Sequence, residues 1–198
     1  MNDRGLRDIL EGIETPDGGV ERRARRHLDH LTKPVGSLGF LEDIAVMYCR
    51  MTGTDEPKLG MKRIYTFAAD HGVVDEGVTC YSKEVTRQMV LNMVAGGAGV
   101  NVLSKHSGAE AVIVNRGVDY DFPMTSGLIG RKVRHGTANM AEGPAMSEAE
   151  AFKAMEVGIE LARGASQEGV TLLGTGEMGI GNTTPSSALL AALLPCDV

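Results

Sequence analysis

The stretch "GVTLLGTGEMGIGNTTPSSALLAALL", residues 169–194, joins an apolar run to a glycine-rich loop and then to a second apolar run. Its first nine residues read as a short strand, and "SSALLAALL" reads as a helix. Between them, Gly176, Gly179 and Gly181 permit positive φ and close backbone approach. Thr184 suits an N-cap, with Pro185 at the first helical position. Free N–H groups at such a helix start attract an anion. The spacing of these three glycines is neither a P-loop, since no Gly-Lys-Ser/Thr follows, nor GxGxxG. An ordinary strand-to-helix turn and a loop for phosphate or ribose both remain open. Glu177 narrows the chemistry. Like charges repel, so it does not hold a phosphate. A carboxylate there can accept hydrogen bonds from ribose hydroxyls, face a cationic ring, or accept a proton.

The same succession of strand, glycine loop and helix occurs upstream. "KRIYTFAAD", 62–70, is a strand that runs into Asp70, His71 and Gly72. A helix is expected from about Ser82 to Val94, and a glycine-broken entry, 96–108, leads to another. "AEAVIVNRG", 109–117, is a second strand. Residues 131–146 read as irregular. Ser147 and Glu150 form a capping box for a helix with Phe152, Met155, Ile159 and Ala162 on one face. Three strands alternating with helices predict an α/β fold with a mainly parallel sheet. Ligands of such sheets bind at the carboxyl ends of the strands. Three polar, glycine-rich segments directly follow the predicted strands: 69–77, 115–121 and 174–184.

The first sixty residues have a different texture. Residues 4–12 and 20–32 read as polar helices separated by "TPDGG". Within "KPVGSLGFLEDIAVMYCRMTG", 33–53, Ser37 caps a helix with Leu41, Ile44, Tyr48 and Met51 on one side, and Gly53 ends it. The expected organisation is a helical segment, 1–60, and an α/β nucleotide-binding domain, 61–198, truncated at its C-terminal end. A three-stranded parallel sheet would leave an apolar edge, to be covered by further sequence or a partner chain.

Composition removes several classes. The net charge is −6, the pI about 5.4 and the aromatic content 4% without Trp, a poor basis for nucleic-acid binding. The four arginines of "ERRARRH", 21–27, read as a solvated helix face. Cys49, Cys80 and Cys196 form no CxxC pair, so neither a disulfide framework nor a zinc site is expected. No apolar run is long enough for a membrane span, and the N-terminus lacks a signal core. The expectation is a reduced, cytoplasmic, soluble protein. "ADHGVVDEGV" gathers Asp70, His71, Asp75 and Glu76, but neighbours at a strand end point oppositely. Polar residues lining a site are expected there, and no metal. Most methionines, among them Met89, Met93, Met140 and Met155, read as core filling.

Taken together, "KPVGSLGFLE", "FAADHGVVDEGVTCYSKEVTRQMVLNMVAGGAGVNVLSKHSGAE", "GTANMAEGPAMS" and "GEMGIGNTTPSSALLAALL" resemble the nicotinate-nucleotide–dimethylbenzimidazole phosphoribosyltransferase family from about Lys33 onward. The resemblance implies a three-layer α/β/α, Rossmann-like fold with a small helical domain, and a homodimer without cofactor. It implies transfer of phosphoribose from nicotinate mononucleotide to 5,6-dimethylbenzimidazole in assembly of the cobalamin nucleotide loop. Residues 176–184 (Gly176, Glu177, Met178, Gly179, Gly181, Asn182, Thr183 and Thr184 above all) would then hold the nucleotide. Glu177 would act as an auxiliary catalytic carboxylate. Tyr81, Ser82, Gln88 and Met89 would form the benzimidazole pocket, although "CYSKE" departs from the family's usual Ser/Tyr-Pro pair. Asp70, His71 and Gly72 would line the site. Members of that family are longer, and their principal glutamate lies near the C-terminus. The chain is therefore expected to be the N-terminal portion, inactive or nearly so alone. Two competing readings stand beside it: a non-catalytic protein binding nucleotide or benzimidazole on the same half-fold, and a metal-dependent hydrolase using Asp70, His71 and Asp75.

Overall fold

The computed structural model describes residues 3–123 and 127–194; Cys196 lies outside them. They form two compact units, 3–59 and 60–194. The smaller holds α1 (Asp3–Glu11), α2 (Gly18–Asp29) and α3 (Phe40–Thr52). Asp17 caps α2 by accepting from the Gly19 N–H at 2.8 Å. Val20 and Ala24 of α2 pack on Val46 and Cys49 of α3. This corrects two expectations. The N-cap of α3 is Gly39, with no side-chain cap, and Ser37 lies in the preceding turn. The face offered to α2 is not the Leu41, Ile44, Met51 side, which is exposed. The helix is apolar nearly all round, so its sequence does not single out one stripe; the smaller Val46 and Cys49 fit against Ala24. Of the arginine-rich run, Arg25 pairs with Glu21 and Asp43, and Arg23 with Asp55.

The larger unit is a four-stranded, all-parallel sheet. Its strands are β1 (Met61–Ala69), β2 (Ala109–Gly117), β3 (Leu128–Gly130) and β4 (Val170–Met178), in the order β3-β2-β1-β4. Between them run α4 (Glu84–Val94), α5 (Gly99–Ser107) and α6 (Glu148–Gln167), and α7 (Thr183–Leu193) follows β4. The sheet has one strand more than the sequence suggested. Three residues are too few to show an alternating pattern, so β3 escapes notice.

Helices cover both faces. Ala68 and Ile113 face Val90 and Met93 of α4, with Ala98 and Val118. Tyr65 and Val114, flanked by Phe67 and Val112, face Ala165 and Leu161 of α6. The capping box of α6 forms as expected, Ser147 accepting from the Glu150 N–H and Glu150 from the Ser147 N–H. Its buried residues are Val157 and Ala165, whereas Met155 and Ala162 of the expected face are exposed. Small residues at the sheet contact let the long helix approach closely, while Phe152 and Ile159 of the expected face are half-buried. On the far edge β4 leaves Leu172 and Leu173 exposed, and α7 buries none of its side chains. No helix among the described residues is long and apolar enough to cross a membrane.

Candidate functional site at the ends of β1 and β4

Strand β1 sits between β2 and β4. The chain leaves it towards β2 and later returns, through α6, to its other side. The carboxyl ends of β1 and β4 thus flank a topological switch point, where parallel sheets place ligands.

Asp70 closes the end of β1. It is buried; its N–H donates to the Gly117 carbonyl at 3.1 Å, and its Oδ2 accepts from the Asp119 N–H at 2.7 Å. These bonds tie β1 to β2, a positioning task. The 131–146 segment is drawn across both ends: Gly136 N–H donates to Gly117, Thr137 N–H to Asp70, and Thr137 Oγ1 accepts from the Gly72 N–H. The approach is so close that a Cβ on Gly72 would lie 2.6 Å from the Asn139 nitrogen. A 3₁₀ turn over Gly72–Glu76 follows, held by Asn139 on Glu76 and Lys83 on Asp75.

Opposite, Glu177 is the penultimate residue of β4 and is exposed. Its Oε1 lies 3.4 Å from His71 Nε2, and its Oε2 accepts from the Asn182 amide. The turn that follows admits only glycine at two places. A Cβ on Gly179 would lie 2.6 Å from His71 Nε2 and 2.8 Å from Glu177 Oε1. Gly181 has φ +80° and rests against Val74. The turn is pinned from beneath, where the Ile180 N–H donates to Oγ1 of the fully buried Thr86 at 3.1 Å. Helix α7 then starts. Its N-cap is Asn182, not Thr184, and Pro185 is the third helical residue, not the first. Asn182 makes no cap bond because its side chain is spent on Glu177. A cavity of about 380 Å³ at the helix start is lined by Thr183, Thr184, Ser187 and Ala188.

The structure therefore brings together His71, Gly72, Glu177, Gly179, Gly181, Asn182, Thr183 and Thr184. Gly176 and Met178 stand apart. A Cβ on Gly176 would meet Thr66, and Met178 packs under α4, on the face away from Glu177. With Gly174 counted, residues 174–179 do read GxGxxG. The first two glycines lie inside β4 against Ile64 and Thr66, so no dinucleotide turn is formed. Tyr81 and Ser82 are exposed just before α4, Gln88 is exposed on it, and Met89 packs against the core. Asp70, His71 and Asp75 do not converge: their partners are Asp119, Glu177 and Lys83. No group of three or more metal-ligating side chains is found among the described residues. Sequence reasoning missed Thr86, Thr137 and Asn139. The signal for the last two was the "GTAN" run, 136–139, between β3 and α6.

Comparison with known proteins accords with this geometry. The chain matches a family model described as Phosphoribosyltransferase over residues 13–198. A relative from Geobacter sp. (strain M21), named nicotinate-nucleotide–dimethylbenzimidazole phosphoribosyltransferase, is 54% identical over 193 residues, covering 98% of this chain and 55% of the relative. One of the same name from Chlorobaculum parvum is 51% identical over 198 residues, covering 100% of this chain and 56% of its own. A crystal structure under that name from Thermus thermophilus superposes with a TM-score of 0.87 at 49% identity, over 90% of this chain and 54% of that one. The chain spans about half the length of the curated relatives it matches.

Proposed function

Because the chain belongs to the phosphoribosyltransferase family, we propose that it carries the nucleotide half of a site that moves phosphoribose from nicotinate mononucleotide to 5,6-dimethylbenzimidazole, giving α-ribazole 5′-phosphate and nicotinate. The names of its relatives support the substrates. The observation that carries the reading is the placement of Glu177, held by Asn182, directly before the start of α7.

The phosphate sits at the α7 start, where Thr183 and Thr184 offer hydroxyls and the helix N-terminus favours an anion. Glu177 lies a short turn away, towards ribose and the reacting ring. The bond from C1′ to the nicotinate nitrogen breaks, and its electron pair neutralises the cationic ring, so the leaving group needs no acid. Positive charge grows on the ribose, as in other glycosyl transfers. A benzimidazole nitrogen attacks C1′ from the opposite face. The other ring nitrogen then gives up its proton to a carboxylate. Glu177 takes the auxiliary part, near ribose and base. The family resemblance puts the principal glutamate in the stretch of the relatives that this chain does not span, so the chain alone turns over slowly or not at all. Tyr81, Ser82, Gln88 and Met89 form the benzimidazole side, and Asp70, His71 and Gly72 support the nucleotide side. Ile180 on Thr86 supports this arrangement by holding the α4 start beside the 179–181 turn. A cytoplasmic homodimer completes the reading.

The test supplies both substrates to the intact chain and follows binding and product by mass spectrometry. Product establishes the transfer and a working base within these residues. Binding of both substrates without product makes this chain a non-catalytic binding half. Binding of neither overturns the proposal.

A further inference from the structure

Helix α4 begins at Glu84 with no side-chain cap at Lys83, so no capping bond fixes where it starts. Two consecutive residues hold it sideways instead. Thr86 accepts from the Ile180 N–H at 3.1 Å, on the turn that follows β4. Arg87 points about 100° further round the helix. Its guanidinium lies on the Tyr120 ring, Cζ 4.7 Å from the centroid, in the loop that follows β2. With β1 between β2 and β4, the first turns of α4 are held from both sides.

Tyr120 is a firm platform. Its ring meets Phe122 edge to face at 5.0 Å. Its carbonyl accepts from Lys132 Nζ at 2.9 Å, and the same ammonium pairs with Asp121 at 2.6 Å. Two residues earlier, the Val118 N–H donates to Oδ1 of the buried Asn115 at 3.0 Å. Met89, Tyr120 and Phe122 pack against one buried cluster, which includes Val90 and Met93 of α4. Arg87 pairs with no carboxylate among the described residues, so the ring is what holds it. It is half-buried, and a guanidinium partly out of water gains more from a ring face than an exposed one does.

We infer that Arg87 is a positioning residue for the benzimidazole side of the site. Through Tyr120 it fixes the first turns of α4, which carry Gln88 and Met89 and follow closely on Tyr81 and Ser82. That these four side chains meet benzimidazole rests on the function proposed above; the anchoring of α4 does not. The test needs no turnover. Hydrogen exchange in the ¹⁵N-labelled intact chain follows the Ile180 amide, which reports the α4 start, and the Val114 amide, which reports the core. Arg87→Leu keeps an apolar stem and loses the cation. Ile180 is expected to exchange about two- to fivefold faster in it, the factor that one cation–π contact carries, with Val114 unchanged. Arg87→Lys keeps a cation over the ring and restores part of the protection; it also serves should Arg87→Leu not fold. Tyr120→Phe keeps the ring face and exchanges as the native chain does. Tyr120→Leu matches Arg87→Leu, and the double variant adds nothing further. Calorimetry with dimethylbenzimidazole is expected to show a loss of affinity by the same factor in Arg87→Leu. Ile180 exchange indifferent to Arg87→Leu overturns the inference. So does an equal rise at Val114, an additive double variant, or undiminished benzimidazole affinity in Arg87→Leu. Arg87-dependent exchange with no benzimidazole binding by the native chain counts against the function alone. Benzimidazole binding with exchange indifferent to Arg87 counts against the anchoring alone.

Discussion

Glu177 Oε1 stands 3.4 Å from His71 Nε2 across the ends of two adjacent parallel strands, and no residue larger than glycine fits at position 179 beside them. The carboxylate is exposed yet oriented, held on its other oxygen by Asn182. That combination is expected of a group that meets a ligand, and it separates function from folding. Glu177→Gln keeps size and shape. It should leave the unfolding free energy within about 0.5 kcal/mol, as for other exposed positions. It should lower transfer, in any form of the protein that turns over, by about 10²- to 10⁴-fold. Denaturant melts and product assays on the two proteins check both halves.

Gly72 is a matter of space. A Cβ there would lie 2.5–2.7 Å from backbone atoms of Ala138 and Asn139, which cannot swing aside as a side-chain tip can. Gly72→Ala should cost about 1–3 kcal/mol, the range of overpacking. Gly143, in the same segment, has open space around it and serves as the control. Paired urea titrations of Gly72→Ala and Gly143→Ala read the difference.

Thr86 is a buried hydroxyl with a single task, accepting from Ile180 N–H. Thr86→Val keeps the shape and strands that donor, a loss of about 1–3 kcal/mol. Thr86→Ser should recover most of it. Because the bond pins the turn between Glu177 and α7, Thr86→Val should also weaken nucleotide binding, measured calorimetrically.

Acid should act on the helical unit through Glu42. Its carboxyl is held below the ordinary value of 4.5, first by the Lys33 ammonium at 2.8 Å and then by the Leu38 N–H. A depressed carboxyl stabilises the fold fully above its unfolded value and loses that contribution as pH falls through the folded one. Stability should therefore decline below about 4.5, and Glu42→Gln should flatten part of that decline. Unfolding midpoints measured between neutral and acid pH for the two proteins decide it.

The sequence showed the order of strands and helices well where apolar runs were long and bounded by glycine, as in 62–70 and 109–117. It pointed to the candidate site at the strand ends, because polar glycine loops follow those strands. It did not show which helix face packs. In α3 and α6 several stripes are apolar, and the choice falls on small residues whose partners are distant in the chain. Nor did it show the partners of Asp70. An aspartate before a histidine reads as site chemistry, and only the Asp119 N–H reveals a strand-end tie. Thr86 was invisible for the same reason: its role depends on a contact 94 residues away.

The central claim is that the 177–184 turn holds a nucleotide. The measurement is an NMR titration of the ¹⁵N-labelled chain with nicotinate mononucleotide. The account predicts saturable shifts centred on the amides of Gly179 to Thr184, abolished by Gly179→Ala, whose Cβ would displace His71 and Glu177. Absence of binding, or shifts centred elsewhere and unaffected by Gly179→Ala, would contradict it.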